Sequence, residues 1–116
     1  MSNIERLRQG ERMSQIVIHG DTVYLAGQTA TDPVPSVAEQ TRQILDKIDA
    51  YLAEAGTDKS KILSANIWLT DVATFEEMNA VWDAWVAKGN TPARATVGSP
   101  LARPKNLVEI AVIAAR

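Results

Sequence analysis

An α/β (α+β) fold with two helices packed on one face of a mixed β-sheet is what the sequence predicts, and three features carry that expectation. Two β-prone runs flank Gly20-Asp21. Two segments with helical apolar spacing each follow a Ser/Thr-x-x-Glu motif and run up to a glycine, and three further runs have the character of strands. The chain has 116 residues, 46% hydrophobic and 22% charged, enough apolar content for one core, so a single domain over residues 1–116 is expected.

Taken in order, Gln15 to His19 and Thr22 to Ala26 form a hairpin, with Gly20-Asp21 suited to a type II′ turn. Gly27 to Pro35 has a loop composition with two prolines, and Ser36-Val37-Ala38-Glu39 reads as a capping box that opens a helix. Val37, Ile44, Leu45, Ile48, Leu52 and Ala55 recur at helical spacing and Gly56 stops the run, so this helix spans about 37–55. From 63 to 70 residues alternate, with Leu63, Ala65, Ile67 and Leu69 on one face and Ser64, Asn66, Trp68 and Thr70 on the other. Thr74-Phe75-Glu76-Glu77 is a second capping box, opening a helix that carries Phe75, Met78, Val81, Trp82, Trp85 and Val86 and ends at Gly89. Ala93 to Val97 and Leu107 to Ala115 are the last strands, separated by a loop marked by Pro100 and Pro104.

Right-handed crossovers in the order β-β-α-β-α-β-β put both helices on one side and leave the other sheet face uncovered. The last strand is nevertheless apolar on both faces, a pattern that calls for cover on each, so a homo-oligomer is expected. A net charge of −2 gives no general attraction to polyphosphate, which argues against nucleic acid as partner. Zero cysteines exclude disulfides, thiolate nucleophiles and cysteine-based metal sites. The stretch Met1 to Glu11 is polar, unlike a signal peptide, and no apolar run approaches the ~20 residues of a membrane span, so a cytoplasmic location without membrane contact is expected.

Glu109 is the most informative oddity, a lone carboxylate inside an apolar strand, where an ionised acid needs a charge partner or hydrogen bonds. Arg94 is a candidate neighbour if the last two strands lie close, and its planar fork is well shaped to grip a carboxylate in two bonds. Two readings stay open: an Arg94–Glu109 pair that only completes the core, and an arginine that holds the carboxylate of a small metabolite. His19, beside the turn, reads as exposed, and the scattered acids read as solvated helix faces, so no metal site is expected. Trp82 and Trp85 fit core packing, whereas Trp68 on the polar-looking strand face fits a pocket or a subunit contact.

The runs Val23-Tyr24-Leu25-Ala26-Gly27-Gln28, Met78-Asn79, Pro92-Ala93-Arg94-Ala95-Thr96-Val97 and Val108-Glu109-Ile110 together resemble the Rid family of reactive intermediate (enamine/imine) deaminases, in the right order and over nearly the whole chain. The resemblance implies a chorismate-mutase-like homotrimer with a cleft at each subunit interface and helices facing outward. By position, Arg94 matches the arginine that binds the substrate carboxylate, Glu109 the acid that helps orient the attacking water, and Gly27 and Asn79 residues that line the cleft from the neighbouring subunit. Thr96 is a further candidate for binding substrate, and the backbone around it is expected to share the water-orienting task. Two departures stand out: Met13 where well-known members have a tyrosine, and Thr96 where they have a cysteine. These bear on substrate range more than on carboxylate binding.

The implied reaction is hydrolysis of a 2-imino acid, in equilibrium with its enamine, to a 2-keto acid and ammonia, with no cofactor. Two other functions compete: a non-catalytic binding or sensing protein for a small carboxylate, and an RNA-directed ribonuclease or translation inhibitor, an activity attributed to members of the same family. The charge balance and the absence of a His pair speak against the last.

Overall fold

The computed structural model describes residues 3–116; the first two positions of the expected domain lie outside the described residues. Its elements are β1 (Ile4–Gln9), β2 (Ser14–His19), β3 (Thr22–Leu25), α1 (Val37–Glu54), β4 (Ile62–Leu69), α2 (Phe75–Trp85), β5 (Ala93–Gly98) and β6 (Val108–Ala115), with single 3₁₀ turns at Lys59–Lys61 and Val72–Thr74. The six strands form one sheet in the order β1-β2-β3-β6-β4-β5. Only β4 and β5 run parallel, so the sheet is mixed, as expected.

The Gly20-Asp21 hairpin forms with Gly20 at φ +62° and no positive φ at Asp21, as a type II′ turn requires. Strand β1, in contrast, falls within the polar N-terminal stretch, where the sequence reading placed no element. Of its six residues only Leu7 is even partly buried. Its order comes from backbone pairing with β2, which leaves no apolar alternation in the sequence to detect.

Helix α1 has a half-formed capping box. Ser36 Oγ accepts from the Glu39 N–H at 3.1 Å, but the Glu39 carboxylate turns to Arg42 and the Ser36 N–H donates to Val34 O. At the other end Gly56, φ +83°, closes a Schellman motif: its N–H donates to Ala53 O and that of Thr57 to Leu52 O.

Two details differ from expectation. Thr74 does not cap α2; its hydroxyl donates to Asp71 O, and the Asp71 carboxylate caps the preceding 3₁₀ turn by accepting from the Ala73 N–H. The helix also ends at Trp85, before Gly89. Leu63, assigned to the core face, is 53% exposed, because a register break between Ile62 and Ser64 turns it outward and puts Ile62 in the core.

Both helices cover one sheet face. Ile44, Leu45, Ile48 and Leu52 of α1 and Met78 and Trp82 of α2 pack there on buried side chains such as Ile16, Ile67 and Ile110. Along β6, buried Val108, Ile110, Val112 and Ala114 alternate with half-buried Glu109, Ala111, Ile113 and Ala115. The expected burial on both faces is therefore met on one face within a single chain, and Tyr24 and Val97 stand exposed on the other.

Gln40, fully buried on α1, ties the long loop before β6 to the helix layer. Its Nε2 donates to Val34 O and Lys105 O, and its Oε1 accepts from the Leu107 N–H at 2.9 Å. Gln40→Leu keeps the volume and removes all three bonds, and each buried backbone group left unpaired costs about 1–3 kcal/mol. The expected outcome is a loss of about 3 kcal/mol or more, read as a lower urea midpoint at unchanged m-value. An unchanged midpoint would mean that water replaces the carboxamide without cost.

Candidate functional site

The pleat decides where the candidate residues point. Across the parallel β4–β5 pair Arg94 lies opposite Ala65 and Thr96 opposite Ile67, both buried under the helices, so Arg94 and Thr96 face the helix layer. The Arg94 guanidinium carbon lies 5.3 Å from the Trp82 ring and 5.8 Å from the Phe75 ring. Phe75, Asn79 and Trp82 occupy one stripe of α2 at i, i+4 and i+7, so the guanidinium sits astride the turn that carries Asn79. Every other arginine is exposed; Arg94 is half-buried and has no carboxylate partner among the described residues. Beside it, Asn79 Oδ1 and Thr96 Oγ1 are buried without a hydrogen-bond partner. A stacked, unpaired cation with two unsatisfied polar atoms on the same layer is a cradle suited to an anion that also carries hydrogen-bonding groups.

Glu109 lies across from Trp68 in the β4–β6 pair, between Val108 and Ile110, which face the helices. It therefore points to the opposite, uncovered face. Trp68, Glu109 and the loop Ser99–Ala102 line a pocket of about 200 Å³ there. Gly27 completes this cluster by having no side chain: a Cβ on it would overlap Glu109 Oε2 and come within 3.0 Å of Cδ. Paired backbone bonds between Gln28 and Ile110, 2.8 and 3.1 Å, hold the Gly27 segment against β6. The Gln28 side chain is buried and donates to Gln15 Oε1 and Ala26 O. On the following residue, Thr29 O accepts from Lys47 Nζ at 2.9 Å, a lysine whose pKa burial lowers.

The expected Arg94–Glu109 neighbourhood is thus overturned within one chain. β4 separates their strands and the pleat sends the two side chains to opposite faces, so they cannot pair in the core. Arg94, Thr96 and Asn79 come together on one side, Glu109 and Gly27 on the other; Asn79 is thus not a neighbouring-subunit partner of Arg94, since the α2 stripe that stacks on Arg94 carries it within the same chain, and Gly27 belongs with Glu109 of its own chain. Sequence reasoning had Trp82 as core packing and missed that it and Phe75 flank Arg94; the i, i+4, i+7 stripe through Asn79 was the available signal. It also missed the 99–102 loop beside Glu109, which no periodicity marks. His19 is exposed, and Met13 is 48% exposed before β2. Among the described residues no group of three or more His, Asp or Glu side chains is arranged to hold a metal.

Gly27→Ala probes the second cluster. The added methyl meets the mobile end of Glu109, so the carboxylate swings aside while the backbone stays, and the melting temperature is expected to change by only a few degrees. Any activity that depends on the position of Glu109 should fall at least about tenfold. Unaltered activity in the folded variant would detach Gly27 from the site.

Comparison with known proteins agrees over the full length. The family model described as endoribonuclease L-PSP matches residues 4–116. A RutC family protein of Haemophilus ducreyi is 44% identical over 112 residues, 97% of this chain and 96% of its own. The RutC family protein YoaB of Escherichia coli is 43% identical over 112 residues, 97% of each chain. Among solved structures, a YjgF family protein of Neisseria meningitidis superposes with a TM-score of 0.96 at 43% identity, covering 98% of this chain and 95% of that one. The Rid family protein YyfA of Yersinia pestis does so with a TM-score of 0.89 at 28% identity, covering 100% of both. With the mixed six-stranded sheet, its two helices on one face and the Pro-Ala-Arg and Val-Glu-Ile segments in place, these matches establish that the chain belongs to the Rid/YjgF family.

Proposed function

We propose that this protein hydrolyses reactive 2-imino acids to 2-keto acids and ammonia, in the cytoplasm, at clefts between the subunits of a homotrimer. The observation that carries this reading is Arg94, a half-buried guanidinium stacked on Phe75 and Trp82 with no carboxylate partner among the described residues. Family membership supports a function connected with small molecules. The α-carboxylate of an imino acid suits Arg94, with Asn79 and Thr96 beside it to take up the substrate's polar groups.

The chemistry is undemanding. An iminium carbon is already electrophilic, so water needs position and a proton acceptor. Glu109 orients the water and accepts its proton as the C–O bond forms; that proton returns to the carbinolamine nitrogen, the C–N bond breaks to release ammonia, and the hydroxyl proton passes to Glu109 or solvent as the keto acid forms. Since Arg94 and Glu109 face opposite sides of one sheet, a complete site in this reading joins the Arg94 cluster of one subunit to the Glu109 cluster of the next. On the uncovered face, exposed Tyr24 beside half-buried Ile113, together with half-buried Ala111 and exposed Val97 farther across the sheet, favours such an association.

The testing experiment generates imino acids in situ with an amino-acid oxidase or threonine dehydratase and follows ammonia release with and without this protein. Faster release supports the reading. Binding of 2-keto acids with no gain in rate would make it a carboxylate-binding module instead, and salt-sensitive RNA binding would favour a nucleic-acid function. Light scattering at micromolar concentration should report about three chains per particle; a stable monomer would remove the shared cleft.

A further inference from the structure

A larger pocket, about 530 Å³, lies behind the loop that walls the Glu109 pocket, where β4 and β5 end and β6 begins. Asn106 lines it and is 7% exposed, and its carboxamide has no hydrogen-bond partner among the described residues. The backbone on either side of Asn106 is fixed, since Gln40 binds both Lys105 O and the Leu107 N–H. The Asn106 N–H donates to Arg103 O at 3.1 Å, closing a four-residue turn that holds the two Cα atoms within about 7 Å. Arg103 also lines the pocket and forms no ion pair among the described residues. Thr70 and Ser99 add hydroxyls, that of Ser99 donating to Pro100 O at 3.0 Å, no acid is among the lining residues, and Pro100, Leu101 and Pro104 form an apolar wall.

We propose that this pocket binds a small carboxylate with a short apolar tail. Its carboxylate is held by the Arg103 guanidinium and the Asn106 carboxamide, and its tail rests on Leu101 and the two prolines. The Asn106 carboxamide spends none of its hydrogen-bonding capacity inside the described chain, so both its groups are free for a ligand in this pocket. The site is separate from the Arg94 cradle, since Gly98 at this end of β5 is about 13 Å along the strand from Arg94. It does not depend on imine hydrolysis. Ser99, Pro100 and Leu101 wall both this pocket and that of Glu109, so an occupant presses on the outer side of the Glu109 wall.

The test is a titration of ¹⁵N-labelled protein with 4-methylpentanoate, followed at the amides of Thr70, Ser99 and Asn106. Saturable shifts are expected there, weakened about tenfold or more by Asn106→Leu and by Arg103→Gln and unchanged by Arg94→Lys. The uncharged 4-methylpentanamide and inorganic phosphate should produce no comparable shifts. Arg103 is exposed, so Arg103→Gln decides the matter should Asn106→Leu fail to fold. Shifts confined to the surroundings of Arg94, equal shifts with phosphate or the amide, or indifference to Arg103→Gln would each overturn the proposal.

Discussion

Arg94→Ala is expected to weaken binding of a 2-keto acid, and to lower kcat/KM for imine hydrolysis, by roughly 30-fold to several thousand-fold, since removing one side of a desolvated charge pair costs on the order of 2–5 kcal/mol. The same change should cost the fold little. Arg94 has no internal carboxylate to strand, and its stacking on Phe75 and Trp82 is worth about 1 kcal/mol. Arg94→Lys keeps the charge but loses the planar two-bond fork, so it should also be impaired. Calorimetric affinity, hydrolysis rate and melting temperature on the same preparations separate the possibilities. A well-folded Arg94→Ala protein that binds and turns over substrate normally would end the carboxylate-anchor role.

Glu109→Gln should act on the rate. A group that orients water and accepts its proton contributes chiefly in the transition state, so kcat should fall by about 100-fold or more with KM changed far less. The substitution preserves shape and still fits the space left by Gly27, so stability should hold. Full activity in this variant would leave Glu109 as a polar residue of the uncovered face and nothing more.

Most of the fold was legible in the sequence because most elements advertise themselves. The Gly20-Asp21 turn, the Ser36 cap with the Gly56 stop, and the apolar spacing of α1 are local signals that the structure obeys. The failures have physical causes. β1 is exposed along nearly its whole length, so its sequence carries no record of the backbone pairing that orders it. Leu63 fits the alternation but sits at a register break, which only the partner strand reveals. Thr74 had the capping pattern, yet Asp71 one turn earlier took over the start of the helical run. At the site, Arg94 and Glu109 could be singled out as charges in apolar strands. Their placement on opposite faces could not, because it depends on β5 pairing with β4 in parallel and β6 pairing with β4 from its other side.

That opposition gives the proposed site a property that a one-chain site would lack: in a closed ring, the Arg94 cluster and the Glu109 cluster that meet come from different subunits. Arg94→Lys and Glu109→Gln chains, each poorly active alone, can therefore complement one another. Denatured together in equal amounts and refolded, they assemble at random into the proposed trimers, and about a quarter of all clefts, or about one in three within a mixed trimer, combine an unaltered Arg94 with an unaltered Glu109. The account predicts that imine hydrolysis by this mixture rises to about a quarter of the wild-type rate, while each variant refolded alone stays low. A mixture no more active than the mean of its two parents, in verified mixed trimers, would contradict it.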